Sequence, residues 1–301
     1  VGTQPALLDH HWLHRAILVE PRAQGRFGKG GDEIPGRILI LVHWSMRDVR
    51  LQHHDDRSVP LLAEDVTVAE VLQQAGYATG CFGKWGLGDI GTPGVPTRQG
   101  FDEFFGYLHQ VHAHFYYPRY LIHNESEYPL EGNENGKRAT YSHDAIAGKA
   151  LDFIRRNRAR PFFLYVALPI PHMALQVPED SLKEYEGAFP ETPYLGDKGY
   201  LPHRTPRAAY AAMVSRLDRY VGQIVGLLKD LQLDERTLVL FTSDNGPTYN
   251  GGTDSAFFES AGPLRGLKGS VYEGGIRVPL IARWPGRITT GKVTGHIAAM
   301  W

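Results

Sequence analysis

The chain has 301 residues, 42% of them hydrophobic, and a formal net charge of −1. That is enough for one large α/β domain, or for one domain and part of a second. The charge balance excludes a global field drawing it to nucleic acid or an anionic membrane, and no run of about 18 apolar residues suggests a membrane span.

Residues 1–57 show no steady period, except that Arg37 to Val42 (RILILV) reads as a strand. The first 20 residues lack the basic, apolar and small-residue order of a signal peptide. His53-His54-Asp55-Asp56 reads either as a metal cluster or as a solvated loop; adjacent residues seldom converge on one ion, which favours the loop. With Cys81 the single cysteine, no internal disulfide can form and no compartment is fixed.

From Ser58 the pattern becomes orderly. Thr67 to Glu70 has capping-box spacing, Val68, Val71, Leu72 and Ala75 follow at helical spacing, and Gly76 suits a helix stop. Tyr77 to Phe82 reads as a strand ending at Gly83-Lys84-Trp85-Gly86-Leu87-Gly88, a turn that delivers Lys84 to the sheet edge. Residues 89–140 show little regular period but are rich in aromatics, as in His112-Ala113-His114-Phe115-Tyr116-Tyr117, which argues for an ordered functional loop. Asn124-Glu125-Ser126 is a glycosylation sequon if the protein enters a secretory pathway.

Ser142 caps an expected helix to about Arg156. Pro161 to Ala167 reads as a strand running into Pro169-Ile170-Pro171-His172; His172 is either a site residue or a structural histidine. Thr205-Pro206 opens a long amphipathic helix carrying Met213, Leu217, Val221, Ile224, Leu228 and Leu231. Leu238 to Thr242 then reads as a central strand covered on both faces. It stops at Ser243-Asp244-Asn245-Gly246, which is either an ordinary turn or a hard-oxygen pair for Ca²⁺ or Mg²⁺. A glycine loop with Lys268 and a strand over Val278 to Arg283 follow.

Helices alternating with strands predict an α/β fold: a mixed, largely parallel central sheet with helices on both faces. Lys84, His172, Asp244-Asn245 and Lys268 would then share one sheet edge, where α/β sheets bind ligands. Two lysines, an imidazole and a hard-metal pair suit a multiply charged oxyanion, sulfate or phosphate.

These residues resemble the sulfatase family of the alkaline phosphatase superfamily. Gly83 to Gly88 is similar to its GKWxLG, Gly100 to Tyr107 to its GFDxFxGY, Pro171-His172 to its Pro-His, Thr242 to Gly246 to TSDNG, and Lys268 to Pro279 to KGxxYEGGxRVP. The match runs from about Ser58 to Arg287, giving an expected division into an irregular or altered region over 1–57 and a partial catalytic domain over 58–301. The family's small C-terminal domain is expected to be mostly absent. The resemblance implies that Asp244 and Asn245 bind a divalent metal, Ca²⁺ ahead of Mg²⁺, and that Lys84 and Lys268 contact sulfate. It implies that His172 binds sulfate or protonates the leaving alcohol. It also implies a small-molecule or saccharide sulfate ester as partner, no nucleic acid, and a periplasmic, lysosomal or extracellular location.

The sequence departs from the family in four places. The formylglycine motif C/S-x-P-x-R is missing: Cys81 precedes Phe82-Gly83, and Ser58-Val59-Pro60 has Leu62 at the Arg position. The paired aspartates after the first strand are replaced by His43-Trp44-Ser45. Few residues separate that strand from Thr67. Gly86 stands where the family commonly has histidine, for which His114 is a candidate substitute in substrate binding. Three readings stay open: a sulfatase piece with a damaged N-terminal region, a phosphoryl hydrolase of the same superfamily, and a non-catalytic protein that binds a sulfated ligand.

Overall fold

The computed structural model describes residues 36–43, 60–197 and 199–298. The readings on the first 20 residues, on Trp44-Ser45, on His53 to Asp56, on Ser58-Val59 and on the end of the chain fall outside those residues.

The core is an eight-stranded sheet in the order β5-β4-β3-β2-β6-β1-β7-β8. Its parallel centre comprises β1 (Arg37–His43), β2 (Ala78–Lys84), β3 (Glu103–Tyr107), β6 (Phe162–Leu168) and β7 (Thr237–Ser243). The strands β4 (Tyr120–His123), β5 (Ser126–Pro129) and β8 (Leu280–Arg283) pair antiparallel at the edges. The mixed, largely parallel sheet expected from the sequence is therefore what forms. The strand read at residues 37–42, inside the span set apart as irregular, is β1 and lies between β6 and β7.

Side chains of β6 show how the sheet is covered. Phe162, Leu164, Val166 and Leu168 join one apolar cluster with Ile146, Phe153, Met213, Leu217 and Ile224. These come from α2 (Ser142–Arg156) and α4 (Pro206–Asp230). Phe163, Tyr165 and Ala167 point the other way, into a cluster with Ala69 of α1 (Val68–Gln74), Trp85 and Phe101. Period-2 alternation in a strand apolar on both sides thus builds two cores, one per face.

The capping box on α1 is formed: Glu70 N–H donates to Thr67 Oγ1 at 3.1 Å and Thr67 N–H to Glu70 Oε2 at 2.7 Å. Other boundaries differ from the sequence reading. Ser142 is the first residue of α2 and makes no cap, because its hydroxyl faces His143 Nδ1 at 3.2 Å. Strand β2 continues through Gly83 and Lys84, which pair with Gly106 and Tyr107. Residues 89–140, read as irregular, hold β3, β4 and β5, and a short α3 (Glu179–Lys183) was not expected either. Strand β7 is half-buried along much of its length and one place in from the sheet edge, rather than central and covered on both faces. Strand β8 starts at Leu280, because Pro279 has no N–H for the ladder.

Candidate active site at the carboxyl edge of the sheet

Because β2, β6, β1 and β7 are adjacent and parallel, their carboxyl ends lie along one edge. Lys84 closes β2, His172 follows β6 by four residues, and Asp244-Asn245 follow β7. Lys84 is buried, at 1% exposure, which is rare for lysine outside a paired or functional setting. Gly83 allows this: at φ +127°, a Cβ there would stand 2.0 Å from Ala167 O. Strands β2 and β6 can therefore approach only with glycine at this position.

The Asp-Asn-Gly turn and the later glycine loop form one unit. Gly246 N–H donates to Gly275 O at 3.0 Å, Gly274 N–H to Arg265 O at 2.8 Å and Lys268 N–H to Pro247 O at 2.9 Å. A Cβ on Gly246 would meet Gly274 O at 1.9 Å. This docking carries Lys268 from a distant stretch of sequence to the end of β7.

Electrostatics ties the residues together. The Lys84 pKa is pulled down to about 7, first by burial and then by the Lys268 cation, with Asp244 opposing. His172 is held well below its ordinary value by burial, then by Lys84 and Lys268; the hydrogen bond to Met173 O opposes this and His114 adds to it. His172 Nδ1–H donates to Met173 O at 2.7 Å, so the neutral ring presents Nε2 as its basic atom. Lys84, Lys268, His172 and Asp244 are thus brought within interacting distance. His114 joins them, its ring stacked on His172 with centroids 5.1 Å apart.

Two residues here had no clear sequence signal. Tyr116 O–H donates to His172 O at 2.7 Å and Met173 O at 3.1 Å, fixing the loop that carries the imidazole. It was legible only as part of an aromatic run. Tyr200 packs edge-on against His114 and His172, with centroids 5.2 and 6.0 Å away, from a loop far along the chain. A cleft of about 430 Å³ adjoins the site, lined by His172, Asn245, Gly246, Tyr210 and Arg277. Lys84, Lys268, Asp244 and His114 do not line this cleft.

Asp244 and Asn245 offer a carboxylate and a carboxamide oxygen, donors that fit a hard cation. Asn245 Nδ2 donates to Gly246 O at 2.9 Å, which turns Oδ1 away from that carbonyl. Among the described residues no group of three or more His, Cys, Asp or Glu side chains is gathered around a possible metal. Two such oxygens fall short of the about six to eight that Ca²⁺ takes. Cys81 is fully buried with its thiol pKa pushed well up by burial, an inert environment for a nucleophile.

The sulfatase family model matches residues 44–300. The chain belongs to the sulfatase family. It is 32% identical over 254 residues to N-acetylgalactosamine-6-sulfatase of Canis lupus familiaris, covering 79% of this chain and 43% of that protein. It is 32% identical over 299 residues to human arylsulfatase A, covering 88% of this chain and 52% of that protein. The chain therefore spans about half the length of the curated relatives it matches. In fold it is similar to the crystal structure of Ps i-CgsB in complex with k-i-k-neocarrahexaose. The TM-score is 0.63 at 24% identity, over 84% of this chain and 66% of that one. Sulfatases of this family generally use a divalent metal. Among the described residues no helix is long and apolar enough to cross a membrane.

Proposed function

We propose that this sulfatase-family chain carries the oxyanion-binding part of a sulfuric ester hydrolase acting on a sulfated saccharide or small aryl ester. One observation carries the reading: two lysines and an imidazole meet in one largely buried site, where Lys84 is destabilised as a cation first by burial and then by Lys268. Buried like charges are costly unless an anion joins them, and a sulfate group with several charged oxygens supplies that anion. Saccharide sulfates are favoured because N-acetylgalactosamine-6-sulfatase is among the relatives.

In this reading Lys84 and Lys268 hold the sulfate oxygens and stabilise charge as the S–O bond breaks. His172 binds the ester or, once the bound sulfate anion offsets the two lysine charges and lets Nε2 take up a proton, hands that proton to the departing alcohol, while Met173 O fixes its other nitrogen. His114 supports that ring and contacts substrate. Asp244 and Asn245 would hold a divalent cation, Ca²⁺ ahead of Mg²⁺, which when bound polarises the sulfate.

A second reading, binding without turnover, is favoured by the missing C/S-x-P-x-R motif and the inert surroundings of Cys81. Hydrolysis of a chromogenic aryl sulfate by the full chain with added Ca²⁺ or Mg²⁺ separates the two. Turnover that disappears in Lys84→Ala and Asp244→Ala supports the hydrolase. Saturable binding of the ester with no release of product supports the binding protein.

A further inference from the structure

The space a side chain at position 86 would fill is taken by Gln110. Gly86 has φ +80°, and a Cβ built on it would stand 2.1 Å from Gln110 Nε2. Gly86 N–H donates to Leu108 O at 2.9 Å, so the segments after β2 and β3 still run side by side here. The carboxamide therefore sits two residues beyond Lys84, at the edge where the oxyanion site lies.

Gln110 is 9% exposed, and its Oε1 is buried and accepts no hydrogen bond among the described residues. A buried carbonyl without a donor costs stability, and methionine would fill the same length without that cost. Packing alone does not account for glutamine here. Ala113 N–H donates to His109 O at 3.3 Å, so the segment turns helically. His114 N–H donates to Val111 O at 3.0 Å, so one short turn carries both Gln110 and His114 away from the end of β3. His114 is the residue stacked on His172.

Resting on the sulfate-ester reading above, we propose that Gln110 is a substrate-positioning residue. Its Oε1 accepts a hydrogen bond from a hydroxyl or amide N–H on the alcohol half of the ester. The sulfate group itself cannot be the partner of Oε1, since a fully ionised sulfate ester has no hydrogen to give. The ligand class is thus an ester whose alcohol carries a donor close to the sulfate, as a sugar ring does.

Calorimetric titration of the full chain with two probes, inorganic sulfate and galactose 6-sulfate, tests this in wild type, Gln110→Met and Gln110→Ala. Both variants should bind inorganic sulfate within about twofold of wild type and galactose 6-sulfate about tenfold more weakly. Gln110→Met should melt no lower than wild type, because it removes an unsatisfied carbonyl. Unchanged galactose 6-sulfate affinity in both variants overturns the assignment. So does an equal loss for both probes, which would mean that Gln110 only shapes the site. A wild type that binds neither probe instead removes the sulfate-site reading beneath it.

Discussion

His114 and His172 lie face to face, with ring centroids 5.1 Å apart and planes 13° from parallel. One ring comes from the turn after β3 and the other from the loop after β6. The stack shields His172 from water and adds a like-charge penalty to those from Lys84 and Lys268, so the ring stays neutral. His114→Ala should raise the His172 pKa, read by NMR titration of the imidazole. An unmoved pKa would separate His114 from the electrostatics of the site.

Oxyanion binding should depend on pH through Lys84. Its pKa of about 7 means that it is charged below that pH and neutral above it. Sulfate affinity of the metal-free chain should fall about tenfold from pH 6 to pH 8, the span over which a group of this pKa discharges. Lys84→Met should bind weakly and flatten the profile. A wild-type profile as flat as that of the variant would count against a role for this charge.

Stability should move with pH in a definite direction. Burial, then His109, lowers the His112 pKa to about 4, and His172 is also lowered. Unfolded histidine titrates near 6.5, so below that value the unfolded chain takes up protons that the fold refuses. Stability is fullest above about pH 6.5 and declines as pH falls towards 4. Thermal melts should drop across that window, less so in His112→Leu, and equal slopes in both proteins would contradict this.

Gly246 joins the turn after β7 to the loop bearing Lys268, and an added Cβ would lie 1.9 Å from Gly274 O. Gly246→Ala should therefore push the two loops apart. A cost of about 1–3 kcal/mol, typical of overpacking, is expected in chemical denaturation. Sulfate binding should suffer with it, as Lys268 is displaced. Retained stability and binding would show that the loops are not held by this contact.

Much of this was legible in the sequence. Strand β6 shows as an unbroken apolar run, because burial on both faces removes polar alternation. The capping box on α1 was readable because its spacing is local. Strands β3 to β5 were not, because five or fewer residues each, two of them in an edge hairpin with exposed β5, leave no period to detect. The extent of β2 was missed because Gly83-Lys84 reads as a turn, and only the register with Gly106 and Tyr107 makes it strand. Lys84, His172, Asp244 and Lys268 were named from strand ends and motifs. Tyr116, Tyr200 and Gln110 act through tertiary contacts that no local pattern encodes. The structure adds the reason for the glycines: at positions 83 and 246 another segment's backbone occupies the place of a side chain, and at position 86 the backbone adopts φ +80°.

In the proposed site Lys84, Lys268 and His172 together receive one sulfate group. Isothermal titration of the full chain with inorganic sulfate at pH 6 tests it most directly, in wild type, Lys84→Met and Lys268→Met. Saturable binding to wild type that weakens at least about tenfold in each variant is the predicted result, as expected for losing a charge-assisted contact. Wild type that does not bind sulfate, or variants that bind it equally well, would contradict the account.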